Sequence, residues 1–263
     1  GYPFSEIMLP PLYLIMQSAL GWKGSFLLLG IILLVIFIPI SQNIFNKKPS
    51  LKDPSHREDK PPASEVDFSR KEVLKSIQFY CIVPQSILPP FLITGFFIHQ
   101  GALNQFSPNW SASWFASSLT GFAIARAMGS FFIGKGIDKW KASELFPFFT
   151  LPIALGIVNT LYFQSSLSLV ILFVLCGATA GLGGNIKSAL LAECFGTKNL
   201  GAIRSVFSFC LLSSTAISPA LAGILLEKGF HYETLFQYSM LIIGISILLS
   251  LYPYLYQKRS RRT

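Results

Sequence analysis

Residues 114–134 read WFASSLTGFAIARAMGSFFIG. A bilayer crossing needs about 20 mostly apolar residues, and this run supplies them with a single charge, Arg126. A guanidinium at mid-depth costs a few kcal/mol, about 2.5–3.5 on insertion scales, so it turns towards a polar pathway or a partner. Four residues beyond the run stands Asp138, in the turn Gly134-Lys135-Gly136-Ile137-Asp138-Lys139. A cation inside a span, followed by a charged turn, predicts a membrane protein with a polar interior.

Composition agrees with that solvent. Hydrophobic residues make up 52% of the 263-residue chain and charged residues only 13%, whereas soluble domains carry about 25% charge. Apolar blocks recur too often for one signal anchor, and no targeting peptide is recognisable. The chain begins with Gly1 rather than Met, which is expected of a fragment or a trimmed start. The net charge of +9 is not a nucleic-acid signature, because the basic residues lie in loops between the apolar blocks. Cys81, Cys176, Cys194 and Cys210 fall in or beside those blocks with no C-x-x-C pair, and read as small buried hydrophobes. No metal or cofactor is expected.

The fold class is therefore all-α, a polytopic transmembrane bundle of about eight spans. They cover roughly 2–20, 25–43, 77–100, 113–134, 145–163, 168–190, 202–226 and 235–257. The first contains Glu6, Pro3 and the pair Pro10-Pro11, and proline is tolerated in membrane helices where neighbours satisfy the freed backbone groups. Residues 46–76 are rich in Lys, Asp, Glu, Ser and Pro. They predict an aqueous linker with an amphipathic turn near 66–74. The expected organisation is two spans in 1–45, the linker 46–76, a six-span block in 77–257 and a basic tail 258–263. Gly121, Gly129, Gly177, Gly181 and Gly184 are expected to let helices approach closely.

Nearly all of the 21 Lys and Arg residues fall on the linker side of the spans, and the other side has only Lys23 and Lys228. The positive-inside rule then places the linker and the C-terminus in the cytoplasm, in a plasma or bacterial inner membrane.

Three segments carry a family resemblance. Gly1-Tyr2-Pro3 … Leu9-Pro10-Pro11-Leu12 … Gly21-Trp22-Lys23-Gly24-Ser25-Phe26 is the first. Ala125-Arg126-Ala127-Met128-Gly129 … Gly134 … Asp138-Lys139 is the second. Ala192-Glu193-Cys194-Phe195-Gly196 … Leu200-Gly201-Ala202-Ile203-Arg204, followed by Pro219 and Gly223, is the third. In this order they resemble the major facilitator superfamily, and more narrowly its monocarboxylate and oxalate/formate-type carriers. The resemblance implies helices five to twelve of a twelve-helix fold, the first four lying outside the chain, and alternating access about a midplane site. Two departures stand out. Lys139-Trp140-Lys141-Ala142 replaces the usual continuation of the charged loop, and Phe122-Ala123-Ile124 stands where such carriers often place an acid one turn before the arginine.

On this reading Arg126 is the candidate solute-binding cation, able to hold a carboxylate through two parallel hydrogen bonds. The alternative is a permanent partner on another helix, such as Glu6. Ser213, Ser214 and Asn185 are candidate lining residues, although serines can also bond their own helix, and Lys187 can snorkel to the surface. Asp138, Lys139, Glu193 and Arg204 sit at the linker ends of different spans and are candidates for a gating charge network, against ordinary interfacial charge. Glu6 and His99 are candidate proton-coupling groups, against hydrated helix-end residues.

An enzyme is not expected, since no H-E-x-x-H or similar cluster is present and Gly181 to Lys187 only loosely imitates a phosphate loop inside an apolar span. The sequence instead predicts a secondary carrier of a small organic anion, driven by a proton or a counter-substrate. A sensor or an inactive truncated carrier on the same fold is the alternative.

Overall fold

The computed structural model describes residues 2–46, 67–104, 110 and 112–260. Every regular element in them is helical. The chain divides into two compact units, Gly1–Pro62 and Ala63–Thr263.

The first unit is built on α1, Tyr2–Asn46, whose two arms meet at Gly21 with φ 66° and ψ 173°. That backbone conformation strains any residue bearing a Cβ, and glycine adopts it freely. The rings of Tyr13 and Phe26 lie 5.5 Å apart. A straight helix would separate these positions by about 20 Å, so the arms fold back on each other at Gly21. The second arm exposes Leu27, Leu33, Val35 and Phe37, as a helix bathed in lipid would.

The second unit contains α2 (Arg70–Lys75), α3 (Ile77–Ile98), α4 (Gln100–Asn104) and α5 (Ala112–Lys139). It continues with α6 (Ala142–Leu145), a 3-10 turn (Phe146–Phe148), α7 (Leu151–Tyr162), α8 (Ser166–Phe195), α9 (Leu200–Glu227) and α10 (Tyr232–Ser260). Helix α5 packs along α8, α7 also packs on α8, and α3 lies against α9 and α10.

Six stretches of the described residues are long and apolar enough to cross a membrane: Ile15–Gln42, Ile77–Ile98, Ala142–Tyr162, Ser166–Phe195, Leu200–Glu227 and Tyr232–Tyr256. Helix α5 is not one of them. Its 28 residues suffice in length and its run 114–134 holds one charge, Arg126, but some of its side chains lie outside the described residues.

The distribution of side chains is inverted relative to a soluble protein. Phe131, Phe209, Leu212, Leu241 and Leu248 are exposed, while Gln85, Thr150, Thr160 and Thr179 are wholly buried. Two apolar clusters hold the ends of the bundle. One, around Phe146, Phe149, Phe195 and Phe207, lies at the end where α2 docks. The other gathers Phe96, Trp110, Phe115, Phe173 and Phe236 at the far end.

The last part of the expected linker is structured. Phe68 donates its N–H to the Phe195 carbonyl at 3.1 Å, and the Asp67 carboxylate accepts from the N–H groups of Thr197 and Lys198 at 3.2 and 3.3 Å. Asn199 donates to the Phe68 carbonyl at 2.9 Å. Residues 67–75 are therefore fastened to the α8–α9 turn, with Val73 fully buried beneath them. The rest of the linker, 47–66, and the tail residues 261–263 lie outside the described residues.

Candidate functional site

The site begins with a helix crossing. Gly177 and Gly181 are one turn apart on α8, and a Cβ on either would overlap α5 backbone, at Phe122 and at Arg126 respectively. Gly129 answers from α5, where a Cβ would stand 3.1 Å from the Ala178 carbonyl oxygen. Small residues at this spacing let the two backbones touch. Two polar clasps lock the register. Ser130 donates its hydroxyl to the Gly181 carbonyl at 3.2 Å, and Asn185 donates its amide to the Ser130 carbonyl at 2.8 Å. Gly184, expected to join this packing, faces open space.

Arg126 is carried by this crossing and is half-buried. One turn before it, Phe122 packs edge-on to Phe97 of α3 with ring centres 5.0 Å apart. Phe97 in turn stacks on Phe173 of α8 at 5.3 Å. An aromatic cluster thus joins α3, α5 and α8 on the far-end side of the arginine. On the linker side, Lys187 of α8 comes close enough to Arg126 for the two positive charges to repel. Its ammonium does not snorkel outward. It donates to the Ser86 carbonyl of α3 at 3.3 Å, an acceptor that Pro90 leaves without an N–H four residues on.

Residues 105–263 match the Major Facilitator Superfamily. The chain belongs to that superfamily. No curated protein matches the chain. The superfamily is one of membrane transporters, and this member is a multi-pass integral membrane protein.

The remaining predicted residues of this major facilitator protein fall elsewhere. Ser214 is buried and bonds the carbonyls of Leu211, at 2.7 Å, and Ile87, at 3.4 Å. Ser218, one turn on, donates to the Phe91 carbonyl. The pair forms a two-rung ladder between α9 and α3, so Ser214 is a packing residue rather than a lining one. Ser213 is half-buried on the same helix, whose main neighbours are α3 and α8. Asn185 likewise serves the α5–α8 clasp.

The four charged candidates do not form a network in this structure. The Glu193 carboxylate accepts from the backbone N–H groups of Ala142 at 2.8 Å and Ser143 at 3.1 Å, capping α6. Unpaired N–H groups at a helix start favour a negative charge. Among the described residues no ion pair joins Arg204 to Glu193 or Asp138, and Arg204 and Asp138 are both exposed. Lys139 lies over the Trp140 ring at 4.7 Å.

His99 ends α3, and its Nε2 lies 2.8 Å from the Pro219 carbonyl oxygen of α9. A carbonyl only accepts, so Nε2 carries the hydrogen. The His99 carbonyl accepts from the Tyr232 hydroxyl of α10 at 3.2 Å. The residue ties the end of α3 to the middle of α9 and the start of α10. The side chain of Glu6 lies outside the described residues.

A polar knot was missed by sequence reasoning. Gln85 is fully buried, donating to the Pro147 carbonyl at 3.1 Å and to Thr150 Oγ1 at 2.8 Å, and accepting from the Ser246 hydroxyl. Thr179 Oγ1 accepts from the Ile153 N–H at 2.9 Å. Together they satisfy the backbone groups freed where the α6–α7 span breaks at residues 146–150. The signal was available: an amide side chain inside the apolar, proline-rich run Pro84-Gln85-Ser86-Ile87-Leu88-Pro89-Pro90.

Proposed function

We propose that this chain takes part in alternating-access transport of a small organic anion such as a monocarboxylate, with Arg126 as the anion-holding cation. The observation that carries the reading is the juxtaposition of Arg126 and Lys187 inside the α3–α5–α8 group of helices. Two like charges repel at rest and are both relieved by an anion between them. The glycine crossing fixes the backbone of Arg126, and a planar guanidinium fork matches a carboxylate. An ion gradient, of protons for example, or a counter-substrate supplies the drive, and the basic end faces the cytoplasm under the positive-inside rule.

The test is uptake of labelled pyruvate, lactate and oxalate by the protein in proteoliposomes, beside Arg126→Ala and Arg126→Lys. Uptake is expected in the wild type and lost in Arg126→Ala. Arg126→Lys keeps the charge but not the fork, and is expected to bind roughly tenfold or more weakly, the worth of one charged hydrogen bond. Equal affinity in Arg126→Lys would remove the arginine from the site. Saturable binding without uptake would make the protein a sensor on a transporter fold.

A further inference from the structure

We infer that Lys187 is the positioning residue that links anion occupancy beside Arg126 to the hydrogen bonding of α3 at its prolines, by exchanging the Ser86 carbonyl for the anion. The inference rests on the anion reading given above.

Helix α3 contains Pro84, Pro89 and Pro90. Each lacks the N–H that would close a helical hydrogen bond, so the carbonyls four residues earlier, at Tyr80, Gln85 and Ser86, lose their helical donors. An unsatisfied carbonyl at membrane depth costs several kcal/mol. The serine's own hydroxyl does not help Ser86, because it donates to the Ile82 carbonyl at 2.9 Å. The donor comes from another helix, as the Lys187 ammonium at 3.3 Å. The proline-interrupted stretch of α3 thus takes a hydrogen bond from a charge belonging to α8.

That charge has a better partner when an anion is present. A carboxylate carries a full negative charge where a carbonyl offers only a dipole, so the ammonium gains Coulomb energy by turning to it. Lys187 already stands within electrostatic range of Arg126, so an anion seated on the arginine draws the ammonium towards it. Ser86 then loses its donor and the helix loosens around Pro89 and Pro90. Because α3 also carries the Ile87 and Phe91 carbonyls that Ser214 and Ser218 read, its movement reaches α9. The lysine supplies the differential contact that lets a ligand bias a two-state helix.

The experiment is hydrogen–deuterium exchange of α3 in nanodiscs, with and without pyruvate, on samples whose pyruvate binding is measured in parallel. In the wild type, saturating pyruvate is expected to speed exchange around residues 86–95 by roughly tenfold, the low end of what one charged hydrogen bond is worth. Lys187→Gln is expected to exchange fast with or without pyruvate and to bind it more weakly. Pro90→Ala restores an N–H to the Ser86 carbonyl, so α3 is expected to stay slow under both conditions while pyruvate still binds. A wild-type response in Lys187→Gln or in Pro90→Ala overturns the inference. So does pyruvate binding that depends on Arg126 but leaves α3 exchange unchanged, and that outcome spares the anion reading. Wild-type protein that binds none of pyruvate, lactate or oxalate defeats both.

Discussion

The α-carbon of Gly181 lies directly against the carbonyl oxygen of Arg126, so closely that no Cβ fits between them. The backbone of the arginine is therefore positioned by direct contact between the two helices. Gly181→Ala should push α5 away from α8 and cost about 1–3 kcal/mol, the usual penalty of overpacking. Thermal melts in detergent check it, with Gly184→Ala as control. Gly184 faces open space, so alanine there should leave stability unchanged or raise it by up to about 1 kcal/mol through helix propensity. Equal melting of the two variants would show that the crossing is looser than the structure has it.

Glu193 and Asp138 separate two ideas about the linker end. Removing the Glu193 carboxylate strands the N–H groups of Ala142 and Ser143, both on buried residues. Glu193→Ala should destabilise by about 1–3 kcal/mol, the cost of buried donors left unpaired. Asp138→Asn, at an exposed position, should change the melting temperature very little. Transport lost in Asp138→Asn with stability intact would show that the aspartate gates in another conformation.

The capping box of α2 gives a pH dependence with a definite sign. Glu72 accepts from the Ser69 N–H at 2.6 Å while its own N–H donates to the Ser69 hydroxyl at 3.4 Å. The Ser69 backbone N–H, followed by its side chain, holds the Glu72 carboxyl below the ordinary value of 4.5. A folded-state pKa below the unfolded one means the contribution is fully present above the unfolded value. It fades as pH falls through the folded value. The Ser69 amide shift, followed by NMR, should titrate with a midpoint under 4.5, and Glu72→Gln should abolish that titration. A midpoint at or above the ordinary value would show that the box does not form.

Gln85→Leu removes three interhelical bonds at once. Each is worth about 0.6–1.7 kcal/mol within a membrane, so the variant should melt clearly below wild type. Protease or thiol-probe access near Thr150 should rise with it. Wild-type stability in this variant would mean that the broken span is held by apolar packing alone.

The major features of the bundle were legible locally. Runs of about 20 apolar residues identify spans whatever they pack against, and helices appear close to where the blocks of 77–257 predicted them. Gly177 and Gly181 were legible as close-approach positions, yet Gly184, with the same chemistry, was not distinguishable from them because helix facing depends on the neighbour. The serines of α9 illustrate a harder case. Ser214 could have faced a solute, its own helix or another helix, and only the placement of α3 decided among these.

The sequence by itself determined the solvent and the helical class, because each follows from composition over a single segment. The tertiary structure decided the partners. Lys187 turns inward because Pro90 leaves an acceptor on a different helix, and Glu193 caps α6 because a helix start lies within reach. Asp67 leaves the linker for the α8–α9 turn for the same reason. Backbone groups left unpaired by prolines and helix ends bind whichever donor or charge the packing delivers. No single segment records which one that will be.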